Sequence, residues 1–164
     1  MNAAAEADAK VVINTGAAAN TITLSTSSNF GDTVSAGAGD DIIIAAASNL
    51  TSADTIDGGT GANTLQFNAD ATVLDAAFTG LSNIQTVTGS GATVNLTVTM
   101  GAQAAEAGVT TFTFSDTGAA ETLTVGAGFT TDLTVNLDSD ATAGNTITGT
   151  GYTGALSVAA DASE

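Results

Sequence analysis

The chain has no cysteine, proline, histidine or tryptophan among its 164 residues. Without Cys and His it forms no disulfide, no thiolate or imidazole metal site and no His-dependent nucleophilic machinery. Aromatic residues are few, with six Phe and one Tyr, so the chain has no indole ring to stack on sugars. Two carboxylates are enough for glycoside hydrolysis in principle. The missing residue types nevertheless predict a protein that is not an enzyme.

Positive charge is almost absent, because Lys10 is the only basic side chain against 17 acidic ones, for a formal net charge of −16. Phosphate recognition needs Lys or Arg, so we expect no nucleic-acid partner. An anionic membrane repels such a surface, and no apolar run is long enough to span a bilayer, so we expect no membrane insertion. Divalent cations are the natural counter-ions. The alternative, that the acids only keep the chain soluble, stays open.

Short segments rich in β-branched residues fill most of the chain and alternate apolar residues with Thr or Asn. Residues 21–24, 92–99 and 132–137 are examples. This period of two is typical of half-buried strands, and the intervening Gly, Ala, Ser and Asn are typical of turns. Residues 70–78 fit either a helical turn or a looser strand. This pattern of short alternating segments separated by turn residues predicts an all-β protein.

A repeat underlies these segments. In seven places an acidic or amide residue stands two positions before an aliphatic one, usually with Thr between them. These residues are Asn20, Asp32, Asp41, Asp54, Asn63, Glu121 and Asn145. Glycine-rich turns, residues 36–40 and 58–62, precede Asp41 and Asn63. The turns follow the pattern G-G-x-G-x-D-x-U-x, the nine-residue repeat of calcium-binding β-helices. We therefore predict a parallel β-solenoid, or β-roll, of stacked nonapeptide-type repeats.

The repeat divides the chain into four parts. Residues 1–10 are predicted to be a flexible N-terminal segment, 11–67 the calcium-binding β-roll, 68–90 a connecting segment, and 91–164 a degenerate continuation of the solenoid. A separate β-sandwich over the last part is the alternative. The abrupt termini suggest a piece of a longer chain.

The spacing of the acids predicts two edges for metal binding. Calcium takes six to eight oxygen ligands from carboxylates and carbonyls, and glycines let a turn expose its carbonyls. Stacked turns then place Asp32 and Asp54 on one edge of the roll and Asp41 and Asn63 on the other. Additional ligands are expected from Asp40 and Asp57. Glu121 lies in a turn without glycines and is expected to rest in solvent. The alternative is that Gly and Asp occur here only because they favour turn conformations, and that the turns bind no ion.

The segments 37–41 and 54–65 resemble the RTX family of proteins exported by type I secretion. More narrowly they are similar to the calcium-dependent surface-layer proteins of Gram-negative bacteria and to related large adhesins. Residues 78–87 are similar to a connecting segment of such proteins. The resemblance implies repeats that fold outside the cell in calcium. Its implied ion-binding set is Gly37, Gly39, Asp41, Gly59, Gly61 and Asn63.

The expected function is therefore structural. We predict a segment of an extracellular surface lattice or filament, assembled from copies of the chain and dependent on Ca²⁺ for folding and assembly. The alternative is an adhesin or glycan-binding module of a larger protein secreted by the type I route, with a cell-surface polysaccharide as its partner.

Overall fold

The computed structural model describes residues 1–2, 9–26, 30–46, 49–89, 94–114, 120–137 and 144–159. Within these ranges the chain forms short strands and two short helices. The strands are β1 Val12–Asn14, β2 Thr21–Thr23, β3 Thr33–Ser35, β4 Ile42–Ala45, β5 Thr55–Asp57, β6 Thr64–Phe67, β7 Ala71–Val73, β8 Leu81–Ser82, β9 Thr86–Gly89, β10 Leu96–Met100, β11 Thr111–Thr113, β12 Thr122–Gly126, β13 Leu133–Asn136, β14 Thr146–Thr150 and β15 Leu156–Ala159. The helices are a 3-10 helix over Asp75–Phe78 and α1 over Ala102–Ala107.

The strands form three parallel sheets. The long sheet has seven strands in the order β2-β4-β6-β9-β11-β13-β15. The first short sheet is β1-β3-β5-β8, and the second short sheet is β7-β10-β12-β14. The chain visits the long sheet once per turn and one of the short sheets in between, so it winds into a β-solenoid of about six turns. The predicted all-β parallel solenoid is confirmed. The alternative of a separate β-sandwich is wrong, because β11, β13 and β15 extend the same long sheet in parallel.

One continuous core runs through the solenoid. The strands alternate inward and outward residues, and parallel register stacks each inward residue on its counterpart one turn away. In the long sheet one such apolar column runs through six successive strands. Its members from β2 to β13 are Ile22, Ile43, Leu65, Val87, Phe112 and Val135, all with 0% exposure. Burying each such side chain contributes about 1.5–3 kcal/mol to stability.

In the predicted connecting segment, residues 68–90, the first short sheet ends and the second short sheet begins. The strand β7 begins the second short sheet, the 3-10 helix buries Phe78, and β8 completes the first short sheet. The two readings of residues 70–78 are therefore both realised, since a strand is followed directly by a helical turn. One turn later α1 packs against the 3-10 helix and β8.

The N-terminal end is described only in part. Asn2 forms a parallel bridge with Thr23 of β2, and the Thr23 N–H donates to the Met1 carbonyl at 2.9 Å. The predicted flexible segment falls mostly on residues 3–8, which lie outside the described residues. In the described ranges no helix has the length and apolar character needed to cross a bilayer.

Candidate metal site at the glycine turns

The two glycine-rich turns stack directly on each other. They connect β3 to β4 and β5 to β6, one turn of the solenoid apart. The Gly39 N–H donates to the Thr60 carbonyl at 2.9 Å, and the Thr60 N–H donates to the Gly37 carbonyl at 2.9 Å. Ala38 forms a parallel bridge with Thr60. Pairing between turns therefore continues around this corner of the solenoid.

Close stacking explains the glycines. Gly37, Gly39, Gly59 and Gly61 all have positive φ, from 74° to 125°. A Cβ on Gly59 would lie 1.8 Å from the Gly37 carbonyl oxygen, and one on Gly61 would lie 2.2 Å from the Gly39 carbonyl oxygen. Any side chain at these two positions would clash with the neighbouring backbone as well as strain φ. The turns thus need glycine for their geometry, whether or not they bind an ion.

Asp41 and Asn63 lie on one edge of the solenoid, where they belong to a ladder of side-chain acceptors. The Asn20 N–H donates to Asp41 Oδ1 at 2.7 Å, and the Asp41 N–H donates to Asn63 Oδ1 at 3.0 Å. The Asn63 N–H in turn donates to Gln85 Oε1 at 2.7 Å. These three steps span 21, 22 and 22 residues, so each side chain caps the backbone of the preceding turn.

Asp32 and Asp54 form a second ladder on another edge. The Val11 N–H donates to Asp32 Oδ1 at 3.1 Å, and the Asp32 N–H donates to Asp54 Oδ1 at 2.7 Å. The remaining oxygens also have partners, because Asp32 Oδ2 accepts from the Ser25 N–H at 2.8 Å and Asp54 Oδ2 from the Thr51 N–H at 2.7 Å. Burial raises the pKa of Asp54 above its ordinary value, and the nearby Asp32 carboxylate adds to that rise.

Asp40 and Asp57 flank the glycine turns. Asp40 is exposed, and its Oδ1 accepts from the Ala62 N–H at 2.7 Å. Asp57 Oδ1 accepts from the Asn83 side-chain amide at 2.7 Å and from the Gly59 N–H at 2.8 Å. These hydrogen bonds, the Asn83 bond foremost, hold the pKa of Asp57 below its ordinary value.

Asp41 differs in one respect from the other acids of the two ladders and the glycine turns. Its side chain is fully buried, and in the part of the chain that the structure describes its Oδ2 atom has no hydrogen-bond partner. A buried carboxylate oxygen without a partner is costly, and a cation is one way to satisfy it. The donor chemistry at this corner, one carboxylate beside a glycine turn with its backbone carbonyls, is the oxygen-only kind that calcium accepts.

The other predicted ligands fit less directly. Both carboxylate oxygens of Asp32 and of Asp54 already accept hydrogen bonds from backbone amides. Nor do the described residues contain any group of three or more His, Cys, Asp or Glu side chains placed to hold a metal ion. A cation at the glycine turns would therefore depend on Asp41 and on carbonyl oxygens, without a cluster of acids.

Several polar residues with clear structural roles were missed from the sequence. Gln85 continues the Asp41 ladder, and its spacing of 22 from Asn63 was a signal that the sequence offered. Asp75 accepts from the N–H groups of Gly101 and Ala104 at the start of α1, at 2.7 and 3.0 Å. The expectation that Glu121 rests in solvent was wrong, because Glu121 is fully buried and its N–H donates to Asn145 Oδ1 at 3.0 Å.

Comparison of the chain with protein-family models, with curated proteins and with solved structures gave no match in any of the three. The geometry of the solenoid and its turns therefore carries the functional argument.

Proposed function

We propose that the chain is a structural segment of an extracellular surface assembly, and that Ca²⁺ at the glycine turns stabilises its fold and thereby its assembly. The observation that carries this proposal is the buried Asp41 carboxylate with one oxygen lacking a hydrogen-bond partner among the described residues. Export by the type I route to the cell surface belongs to the same proposal, since calcium is abundant outside cells and the glycine turns resemble RTX repeats.

A cation beside Asp41 would relieve an electrostatic cost of the fold. A buried charge without compensation destabilises a fold by several kcal/mol, and the whole chain already carries a formal charge of −16. A calcium ion at Asp41 would neutralise that charge and add oxygen coordination from the turn. Because the turn exists only in the folded chain, the free energy of binding would become free energy of folding.

The architecture supports a structural role. Every turn of the solenoid pairs with the next one along the axis, which makes a stiff body with repeated surfaces. With one basic residue and no Cys or His, the chain lacks the residue types that most nucleophilic and metal-based hydrolytic sites use.

The alternative, an adhesin or glycan-binding module, has one specific observation in its favour. On the outer face of the second short sheet, Thr97, Thr122 and Thr146 stand in register on three successive strands, and Thr99, Thr124 and Thr148 form a parallel column. Such regular hydroxyl columns offer hydrogen bonds to a polysaccharide. Retention on polysaccharide-coated resin, lost when Thr122 and Thr124 are replaced together by Val, is the outcome expected of that alternative.

The primary test measures folding against calcium. We expect weak strand signal in far-UV circular dichroism and rapid proteolysis in chelator, with strand signal and protection restored as calcium is added. Sedimentation and electron microscopy over the same titration would show whether assembly follows folding. A spectrum and a proteolysis rate that chelator leaves unchanged would remove the calcium proposal and leave a solenoid held by its side-chain ladders alone.

A further inference from the structure

The outer face of the second short sheet carries a regular array of threonines. The strands β10, β12 and β14 contain the sequences T-V-T, T-L-T and T-I-T. In parallel register the threonines form two columns, Thr97-Thr122-Thr146 and Thr99-Thr124-Thr148. Thr72 of β7 extends the first column by one more strand. We call the two columns on β10, β12 and β14 the threonine array.

The array faces outward because the residue between each pair of threonines faces the core. Val98 and Leu123 have 0% exposure, and Ile147 packs against the same core. Side chains alternate between the two faces of a strand, so the threonines on either side of these residues point away from the core. Their hydroxyl and methyl groups are therefore presented to the solvent.

Strand propensity alone does not require this regularity. Thr favours strands, and the long sheet also has many outward threonines. One outward column of the long sheet nevertheless mixes residue types. From β2 to β13 its members are Thr23, Ile44, Gln66, Thr88, Thr113 and Asn136. Threonine at both outward positions of three successive strands thus sets the second short sheet apart.

The array is electrically neutral, although the chain carries a formal charge of −16. The strands β7, β10, β12 and β14 contain no acidic, basic or aromatic residue. Of the neighbouring acids, Asp70 lies at the corner before β7, and Glu121 is fully buried. The face therefore has no charge to hold an ion and no aromatic ring to stack on a sugar. It suits a neutral partner that is contacted through hydroxyl and methyl groups.

The threonines repeat at two fixed distances. Neighbouring strands lie about 4.8 Å apart, and alternate residues of one parallel strand lie about 6.6 Å apart. On the prism faces of ordinary ice, water oxygens repeat at distances close to both of these. The hydroxyls of the array can therefore take the positions of ice oxygens in two directions at once. A single polysaccharide chain matches such an array in one direction only.

The array is also held in place before any partner arrives. The χ1 torsion of a β-branched side chain such as Thr has few accessible rotamers. The backbone beneath the threonines is paired between strands and packed on the core through Val98 and Leu123. A surface that is already ordered loses little conformational entropy on binding.

We infer that the threonine array is an ice-binding face. Molecules adsorbed through it would stop the growth of the ice lattice beneath them. Ice would then advance only as curved fronts between the bound molecules, and such curvature lowers the freezing temperature. This activity goes beyond the proposed structural function, and it needs calcium only so far as calcium is needed for folding.

Thermal hysteresis of the whole chain in calcium, the gap between the melting and freezing temperatures of a single ice crystal, tests the inference. We expect the wild type to open a gap that grows with protein concentration and to slow the recrystallisation of ice. Thr124→Lys places a long charged side chain at the middle strand of the array and should abolish both effects. Thr124→Leu removes the hydroxyl without adding a charge and should also lose activity, which keeps the test decisive if the Lys variant does not fold.

Thr134→Lys is the matched control. Thr134 is a half-buried threonine on the outer face of β13 in the long sheet, and the next outward residue of its strand is Asn136. The variant adds the same charge to a strand outside the array, so its activity should equal that of the wild type. Circular dichroism of each variant confirms the fold.

The outcomes separate this inference from the other proposals. A folded wild type without hysteresis overturns it, as do equal losses in Thr124→Lys and Thr134→Lys. Retention on polysaccharide-coated resin that Thr124→Lys abolishes, with no effect on ice, overturns it in favour of the glycan-binding alternative. Ice activity that persists in chelator with the fold intact supports the ice-binding face and removes the calcium proposal. Activity that is present in calcium and lost together with the fold in chelator supports both.

Discussion

At the scale of single residues, the acids and amides of this chain act first as caps for backbone N–H groups. At a corner of the solenoid the chain leaves its strand, and the regular ladder of backbone hydrogen bonds is interrupted. At that point a backbone N–H of one turn donates to a side-chain oxygen of the next turn. The accepting side chains are Asp41, Asn63 and Gln85. Buried N–H groups that would otherwise lack partners are satisfied in this way.

Asp41→Asn separates the capping role of Asp41 from a role in cation binding. The amide oxygen can still accept from the Asn20 N–H, while the buried charge and the second carboxylate oxygen are lost. In chelator we expect the variant to be more stable than the wild type. Calcium should raise the unfolding temperature of the variant far less than that of the wild type. Thermal unfolding followed by circular dichroism over a calcium titration measures both effects.

Asp54→Asn is the matched control, because both oxygens of Asp54 accept from backbone amides. An amide group facing the Thr51 N–H would lose that bond, which costs about 1–3 kcal/mol with or without calcium. If the two variants changed the calcium concentration at the folding midpoint equally, the cation would not be bound at Asp41.

The pH dependence of stability carries contributions of opposite sign from two acids. The lowered pKa of Asp57 stabilises the fold above the ordinary carboxyl value of 3.8, and this contribution is lost as the pH falls through the folded-state pKa. The raised pKa of Asp54 does the reverse, since its contribution is present below 3.8 and is lost as the pH rises through its folded-state pKa.

Asp57→Asn should therefore destabilise the protein at neutral pH and have little effect at strongly acidic pH. The amide keeps an acceptor for Gly59 and Asn83 but removes the charge that strengthens those bonds. Chemical denaturation of both proteins on either side of pH 3.8 measures the difference. A difference in stability that stayed constant across that range would show that the Asp57 charge is not involved.

At the scale of the turns, close approach between neighbouring backbones is the controlling feature. Gly59→Ala places a methyl group against the Gly37 carbonyl oxygen at a positive φ, and we expect it to destabilise the fold by more than about 2 kcal/mol. Gly16→Ala is its control, because a Cβ at Gly16 meets no atom within 4 Å. Urea denaturation of the two variants gives the comparison, and similar midpoints would mean that the turns do not stack as described.

At the scale of the helices, α1 depends on an acid from the previous turn of the solenoid. Gly101 at the start of α1 makes no side-chain cap of its own, and the Asp75 carboxylate accepts from the first N–H groups of the helix. Asp75→Ala should destabilise the protein by about 1–2 kcal/mol. Glu106→Ala removes an exposed acid from the same helix and should change stability by less than about 0.5 kcal/mol. Urea denaturation distinguishes the two, and equal effects would argue against the cap.

The strands and turns follow from the sequence in part. The solenoid and the shared edges of Asp41 with Asn63 and of Asp32 with Asp54 could be predicted, because the repeat fixes both the strand period and the step between turns. The switch from the first short sheet to the second could not be predicted from the repeat. It depends on β7 and the 3-10 helix packing into a turn whose length differs from that of the repeat. The burial of Glu121 was also missed, because position in a turn does not reveal what packs over it.

At the scale of the whole molecule, a net charge of −16 on a small solenoid produces strong self-repulsion. Monovalent salt should raise the unfolding temperature modestly by screening. At equal ionic strength magnesium should add little, because it requires a smaller octahedral site, whereas calcium should add a further increase. Differential scanning calorimetry in the three salts makes the comparison. Equal responses to magnesium and calcium would show that the acids act only through their total charge.

The direction of the hydrogen bonds between turns has a mechanical consequence. These bonds run along the solenoid axis, so a pull on its two ends loads them one turn after another, as in opening a zipper. One turn occupies about 4.8 Å of the axis. The 22 residues in a turn, once peeled away, extend to about 75 Å. Each turn that opens would therefore lengthen roughly fifteenfold, so a molecule that is stiff at rest would act as an extensible tether under load.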